Sequence, residues 1–308
     1  MSLQPPPAIG DDDQEPDRPA CVLVFNTNDP SGASGLAADV SAITSVGAHA
    51  LPILTGAYIR DTAEIMDHHA FDEEAVTEQA RTILEDVSVQ VIKVGFAGSP
   101  ENLSAIAEIA SDYADVPLVA YMPNLSWWSE VQIDLYLDAF RELVLPQTTV
   151  LVGNHSTLRR WLLPDWSSGK NPTPRDIAMA ANAVGVPYTL VTGIALPDQS
   201  IENVLASPNS VLYTGRFERF EATFAGAGDT LSAALAALLA TGSDLAEAVK
   251  EALAYLDRCL DAGFRPGMGN VIPDRLFWAQ ADDDDEATPA DDTGTDPFFE
   301  LPPHDTKH

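Results

Sequence analysis

The sequence predicts an α/β fold: a mostly parallel central sheet between helical layers, with antiparallel strands at one edge. Three observations predict it. Short apolar runs alternate with helical segments from residue 20 to residue 192. The pattern then changes to closely spaced strand-like segments over 203–222. The chain has 308 residues, 45% of them hydrophobic, enough for one large core.

The elements follow in order. Residues 20–26 are a short apolar run ending in polar groups, read as a buried first strand. Asp29-Pro30-Ser31-Gly32-Ala33-Ser34-Gly35 is a turn-rich loop, and 36–46 a helix stopped by Gly47. Residues 51–54 read as a second strand, 72–84 as a helix, 89–94 as a strand and 100–113 as a helix. Strand 117–121, helix 130–143, strand 149–152, helix 174–184 and strand 188–192 continue the alternation. Such alternation implies right-handed crossovers and a sheet covered on both faces. Over 203–222, turn residues separate short apolar segments, which predicts hairpin-like strands at a sheet edge. Residues 230–239 are Ala- and Leu-rich on nearly every face, so that helix should be buried all round. Residues 245–260 form an amphipathic helix.

Charge sets further limits. The chain carries 16 basic and 47 acidic residues, a net charge of −31. A generally basic nucleic-acid-binding surface is excluded, because phosphate neutralisation needs clustered Lys and Arg. Residues 11–19 hold five acids and one base, and 281–308 hold ten acids and one base. Both ends lack large apolar groups in number, so 1–19 and 281–308 are expected to be acidic disordered tails around a domain at 20–280. No run of apolar residues reaches membrane-spanning length, and the N-terminus lacks a basic start and an apolar signal core. A cytoplasmic protein without a membrane partner is expected. Cys21 and Cys259 lie far apart with no CxxC, as expected of two buried thiols.

Two segments carry chemistry. Phe224-Ala225-Gly226-Ala227-Gly228-Asp229-Thr230 runs directly into the all-apolar helix. Glycines let backbone approach a ligand, and a first helical turn offers free N–H groups and positive dipole. Asp229 stands where a carboxylate can take a proton from an attacking hydroxyl. The same string also reads as an ordinary glycine loop with Asp229 as a cap. The second segment, Asn26 to Gly35, follows the first strand, where ligands of open α/β sheets bind. From the residues alone it reads rather as a βα turn with Ser34 capping the helix. No Gly-x-x-x-x-Gly-Lys-Ser/Thr string is present, which excludes the P-loop route to nucleotide binding.

These segments resemble the hydroxymethylpyrimidine/phosphomethylpyrimidine kinases of thiamine biosynthesis, members of the ribokinase-like superfamily. Asp29-Pro30-Ser31-Gly32-Ala33-Ser34-Gly35-Leu36-Ala37-Ala38-Asp39 stands in the place of the family's Asp-Pro-Ser-Gly-Gly-Ala-Gly-Ile-Gln-Ala-Asp loop. Lys93-Val94-Gly95 matches its Lys-Ile-Gly strand end. Gly226-Ala227-Gly228-Asp229-Thr230-Leu231-Ser232-Ala233-Ala234 is similar to its anion-hole segment, and Gly267-Met268-Gly269-Asn270 to its C-terminal glycine turn. The likeness covers about residues 20–278.

The resemblance implies a ribokinase-like three-layer α/β/α sandwich and ATP-dependent phosphorylation of hydroxymethylpyrimidine or its monophosphate, with Mg2+. It makes Asp229 the general base and the backbone of Gly226, Ala227, Gly228 and Asp229 the anion hole. Asn26, Asp29, Gly32, Arg60 and Phe96 become the expected substrate contacts; Asn154, Thr192 and Gly193 should lie near nucleotide, and Asn124 should hold the hydrated metal indirectly. A homodimer is implied as well. Four residues depart from the family pattern: Asp229 replaces Cys, Arg60 replaces a pyrimidine-contacting Gln, Tyr121 replaces an Asp, and Thr157 replaces a Glu. A pyridoxal-type kinase and a catalytically impaired ligand-binding homologue are the alternatives. Lys93, Arg60 and Arg159 are the candidates for local positive charge. His68 and His69 are expected at a solvated helix entrance, and His49 as a packed or pocket-lining residue. Trp127-Trp128 reads either as a lid over a flat ring or as packing.

Overall fold

The computed structural model describes residues 18–279. The expected tails at 1–19 and 281–308 lie almost wholly outside the described residues. One unit ends at Phe277 and a second begins at Trp278; Trp278 and Ala279 are all that is described of the latter.

A nine-stranded sheet organises the first unit, in the order β3-β2-β1-β4-β5-β6-β7-β8-β9. Its parallel centre consists of β1 (Cys21–Asn28), β2 (His49–Arg60), β4 (Val91–Val94), β5 (Leu118–Met122), β6 (Val150–Asn154) and β7 (Tyr188–Ala195). Antiparallel strands close both edges: β3 (Ile65–Ala70) on β2, then β8 (Ser200–Ala206) and β9 (Val211–Glu218) beyond β7.

Side chains alternate across β1 with the period of a strand. Val22 and Val24 enter one apolar layer with α1 (Gly35–Val46), α7 (Ala227–Ala240) and α8 (Leu245–Asp261). Leu23 and Phe25 enter the opposite layer with α2 (Glu73–Leu84), α3 (Pro100–Asp112), α4 (Glu130–Ala139), α5 (His155–Leu162) and α6 (Pro174–Asn182). Parallel strands buried on both faces need this double cover. Most of α7 is buried, as its Ala-rich sequence requires: small side chains let it lie close to the sheet and to α1 and α8. Gly47 ends α1 in the left-handed conformation (φ 101°), and Asp72, Ser99, Ser129 and Thr173 cap α2, α3, α4 and α6. Both cysteines are buried and unpaired. No described helix is long and apolar enough to cross a membrane.

Four local expectations are corrected. Strand β2 continues to Arg60, and β3 pairs with it. Ile65–Ala70 is polar and lies partly to fully exposed at the edge, so it carries no alternation to read. His68 and His69 are therefore strand residues, not a helix entrance. Helix α5 was hidden by its shortness and polarity, and α7 starts three residues before Thr230.

Candidate active site

Two loops meet at the carboxyl ends of the central strands. The first leaves β1. Asp29 is its organiser: Oδ1 accepts from the Ser31 N–H and hydroxyl, and Oδ2 from the Ser34 N–H and hydroxyl, at 2.6–2.8 Å. Arg60 donates from Nη1 to Asp29 Oδ2 at 3.0 Å, with both side chains almost fully buried. Gly35 has φ +63°, and a Cβ there would lie 2.0 Å from the Thr27 carbonyl oxygen, so only glycine closes this turn.

The second loop enters α7. Gly226 caps the helix at φ +81°, and a Cβ on it would sit 1.6 Å from the Ala33 carbonyl oxygen. The loops thus touch backbone to backbone. Thr230 N–H makes the first intrahelical bond, to Gly226, which leaves the N–H groups of Ala227, Gly228 and Asp229 without helical acceptors. Arg275, 7% exposed, ties the loops together. It donates from Nε to Thr230 Oγ1 at 2.9 Å, from Nη1 to the Gly32 carbonyl at 3.2 Å, and from Nη2 to the Ala33 carbonyl. Burial pulls its pKa down, opposed by Asp229. The glycine turn at 267–270 packs on the β2–β3 connection, where Gly269 N–H donates to Thr62 Oγ1 and Asn270 N–H to the Thr62 carbonyl.

Beneath the junction lies a buried charge network. Asn26 Nδ2 donates to Asp39 Oδ2 at 2.8 Å and to Asp229 Oδ1 at 2.9 Å. Its Oδ1 accepts from the Thr27 and Phe96 N–H groups. Lys93 Nζ donates to Asp39 Oδ1 at 2.6 Å and lies 3.6 Å from Asp229 Oδ1. Burial raises the Asp39 carboxyl; Lys93 opposes this and Asp229 adds to it, for a value of about 6. The Asp229 side chain remains 11% exposed, and no described residue hydrogen-bonds its Oδ2.

The expected site residues divide into four groups. Asp229, Gly228, Ala227 and Gly226 come together with Asn26, Asp29 and Gly32. Yet Asn26, Asp29 and Arg60 spend their polar groups on other protein groups, so in this structure they shape the loops and are not open contacts. Phe96 is 1% exposed, stacked on Tyr58 at 5.5 Å and edged by His68, Trp127, Trp128 and Tyr136. It is a core residue, and the two tryptophans pack against it. Asn154 and Thr192 are register partners on β6 and β7, and a Cβ on Gly193 would meet Asn154 Nδ2 at 2.3 Å, so these three do cluster. Asn124 lies in a cleft of about 260 Å³ with Ser126, Ser156, Thr157 and Arg160; no carboxylate lines it. Of the expected local cations, Lys93 and Arg60 are buried in ion pairs and Arg159 is exposed. Exposed His49 lines a groove beside α2. Sequence reasoning gave Arg275 no role: one Arg after a glycine turn carries no local signal.

This layered α/β/α sandwich, with its glycine-bounded junction over the carboxyl ends of the strands, has the fold of the ribokinase-like kinases. The pyridoxal kinase of Bacillus subtilis, solved as an ADP complex, shares it: the TM-score is 0.75 at 20% identity, over 85% of this chain and 100% of that one. The chain belongs to the phosphomethylpyrimidine kinase family, whose family model matches residues 29–274. A hydroxymethylpyrimidine/phosphomethylpyrimidine kinase of Streptomyces coelicolor is 27% identical over 266 residues, 86% of this chain and 97% of that protein. A thiamine biosynthetic bifunctional enzyme of Arabidopsis thaliana is 26% identical over 242 residues, 78% of this chain and 46% of that protein. The chain is accordingly a kinase.

Proposed function

We propose that this kinase transfers the γ-phosphoryl group of ATP to the hydroxymethyl group of hydroxymethylpyrimidine, and to the phosphate of its monophosphate, in thiamine biosynthesis. The observation that carries the reading is Asp229: a carboxylate with one oxygen held by Asn26 and the other free, in the first turn of a helix whose leading N–H groups have no helical acceptor. In the alcohol reaction, Asp229 Oδ2 takes the hydroxyl proton as the new O–P bond forms and the bond to ADP breaks. The N–H groups of Ala227, Gly228 and Asp229 meet the charge on the phosphoryl oxygens. Asn154, Thr192 and Gly193 border the nucleotide. Asn26, Asp29, Gly32 and Arg60 set the shape of the acceptor pocket.

Mg2+ enters as part of MgATP. Among the described residues no group of three His, Cys, Asp or Glu stands ready to hold a metal, and the Asn124 cleft offers no carboxylate. We also expect a cytoplasmic homodimer, its assembly to be checked by light scattering.

The test is turnover of MgATP with hydroxymethylpyrimidine, its monophosphate and pyridoxal side by side, with Asp229→Asn as control. The expected result is pyrimidine turnover that Asp229→Asn lowers by at least about 10²-fold. Brisk pyridoxal turnover beside none on the pyrimidines would reverse the assignment. That second reading is favoured by one feature, the Asp at 229 in place of the pyrimidine kinases' Cys. A bound pyrimidine with no ADP formed would leave a ligand-binding homologue.

A further inference from the structure

Tyr121 is the feature of the junction that the reaction above leaves unused. It is the penultimate residue of β5, where the resembled family carries an Asp. Its ring packs in the layer formed with α1 and α7, and Lys93 Nζ lies 5.8 Å from the ring centroid. The ring is therefore held in place from below.

The hydroxyl points at the start of α7. A Cβ on Gly228 would lie 2.1 Å from Tyr121 Oη and 2.3 Å from Cζ. The phenol thus occupies the space beside the Gly228 backbone, next to the N–H groups with no helical acceptor. No described residue hydrogen-bonds Oη, and the side chain is partly exposed. Burial, then Asp229 and Asp39, push the phenol above its ordinary pKa. It keeps its proton throughout the working range and can donate.

We propose that Tyr121 is a catalytic residue, donating its phenolic hydrogen to an oxygen of the phosphoryl group in transfer. The assignment rests on the kinase reading of this junction and extends it. The transition state of phosphoryl transfer spreads charge over three equatorial oxygens, and pre-placed donors on them lower the barrier. A carboxylate at position 121 would repel those oxygens unless a cation stood between. A phenol meets them directly. This chain has exchanged an acceptor for a donor on one wall of its anion hole.

The test is Tyr121→Phe, which keeps the ring and its packing and removes only the hydroxyl. A thermal melt matching wild type shows that the fold is intact. At saturating MgATP and acceptor, kcat should fall about 10²-fold, the lower range for losing one such donor, with KM for the acceptor unchanged. Binding of ADP with aluminium fluoride and Mg2+, a mimic of the group in transfer, should weaken by a similar factor, while ADP alone binds as to wild type. This second arm needs no acceptor alcohol, so it judges Tyr121 even if the pyrimidine is the wrong substrate. Equal affinity of wild type and Tyr121→Phe for ADP with aluminium fluoride would overturn the assignment, as would an unchanged kcat in an active enzyme.

Discussion

Replacing Arg275 by Met isolates the contact that joins the two loops. Met keeps much of the aliphatic volume and deletes the donors to Thr230 Oγ1, the Gly32 carbonyl and the Ala33 carbonyl. Two backbone acceptors then lose a charged donor, and each such loss costs about 1–3 kcal/mol. Against this, a guanidinium only 7% exposed is no longer desolvated, which returns part of the loss. The net expectation is about 2–4 kcal/mol of destabilisation. For a domain of this size each kcal/mol moves Tm by about 2–4 °C, so the midpoint should fall by about 4–16 °C. Arg275→Lys should recover only part, because one ammonium cannot reach a hydroxyl and two carbonyls with the geometry of a planar fork. Calorimetry or far-ultraviolet circular dichroism on heating measures the shift, and steady-state kinetics should show a lower kcat because the loops drift apart. An Arg275→Met protein that melts within about 1 °C of wild type would refute the reasoning: the bonds would then contribute nothing net, and the loops would be joined by backbone contact alone.

Three further outcomes are expected. Gly226→Ala forces a Cβ to within 1.6 Å of the Ala33 oxygen at φ +81°, so it should cost more than the about 1–2 kcal/mol of left-handed backbone alone and lower the urea midpoint; an unchanged midpoint would mean that the loops do not touch. Asp39 has its folded pKa raised to about 6, above the ordinary carboxylate value, so its protonated form is favoured in the folded chain and its contribution to stability is full at low pH. That contribution is lost as pH rises through about 6, and Asp39→Asn should flatten the dependence of Tm between about pH 4 and 7; parallel slopes for the two proteins would contradict it. Phe96→Ala should cost about 3–5 kcal/mol and alter tryptophan fluorescence, since the Phe96 ring lies 5.7 and 5.3 Å from those of Trp127 and Trp128; unaltered emission would place the tryptophans elsewhere.

Legibility in the sequence followed the physical source of each signal. The central strands were readable because burial on both faces demands continuous apolar runs, as in Val22–Phe25. Helix α7 was readable because a helix enclosed on nearly every side has few polar residues. Strand β3 was not: an exposed edge selects no alternation, and Ile65-Met66-Asp67-His68-His69-Ala70 carries no strand signal until Gly56–Arg60 is there to pair with it. The two glycine loops were legible as motifs, and so was Asp229. The state of the polar residues around them was not. The resemblance made Asn26 a substrate contact. Here Asp39, 13 residues on, and Asp229, 203 residues on, consume its amide. Arg60 was expected to meet substrate, and Asp29 takes it instead. Such pairings depend on tertiary contacts that no local spacing encodes.

The same pairings decide how charge is handled when nucleotide arrives. Beneath the junction stand two carboxylates, Asp39 and Asp229, and one ammonium, Lys93. With both acids ionised, Lys93 and buried Arg275, which interacts with both carboxylates, balance them, while the whole chain carries −31. An incoming polyphosphate therefore meets repulsion at long range. Lys93 cannot relieve it, because its ammonium is fully buried and held at 2.6 Å by Asp39. Nor can Arg60, which is matched by Asp29. Attraction is left to dipoles, to the cation that the nucleotide brings with it, and to exposed Arg159 and Arg160 on α5, the helix that Asn154 caps. The N–H groups of Ala227, Gly228 and Asp229 supply dipoles fixed in direction by α7. Fixed dipoles need no reorganisation as charge moves from ATP to the phosphoryl group and on to ADP, whereas a mobile lysine would have to follow it. On this account the buried Lys93 serves the base and not the phosphates: it holds Asp39, and with Asn26 it keeps Asp229 Oδ1 in place so that Oδ2 faces the alcohol. Replacing Lys93 by Met should then lower kcat and leave the KM for MgATP nearly unchanged, and a rise in that KM equal to the loss in kcat would show instead that the lysine reaches the nucleotide.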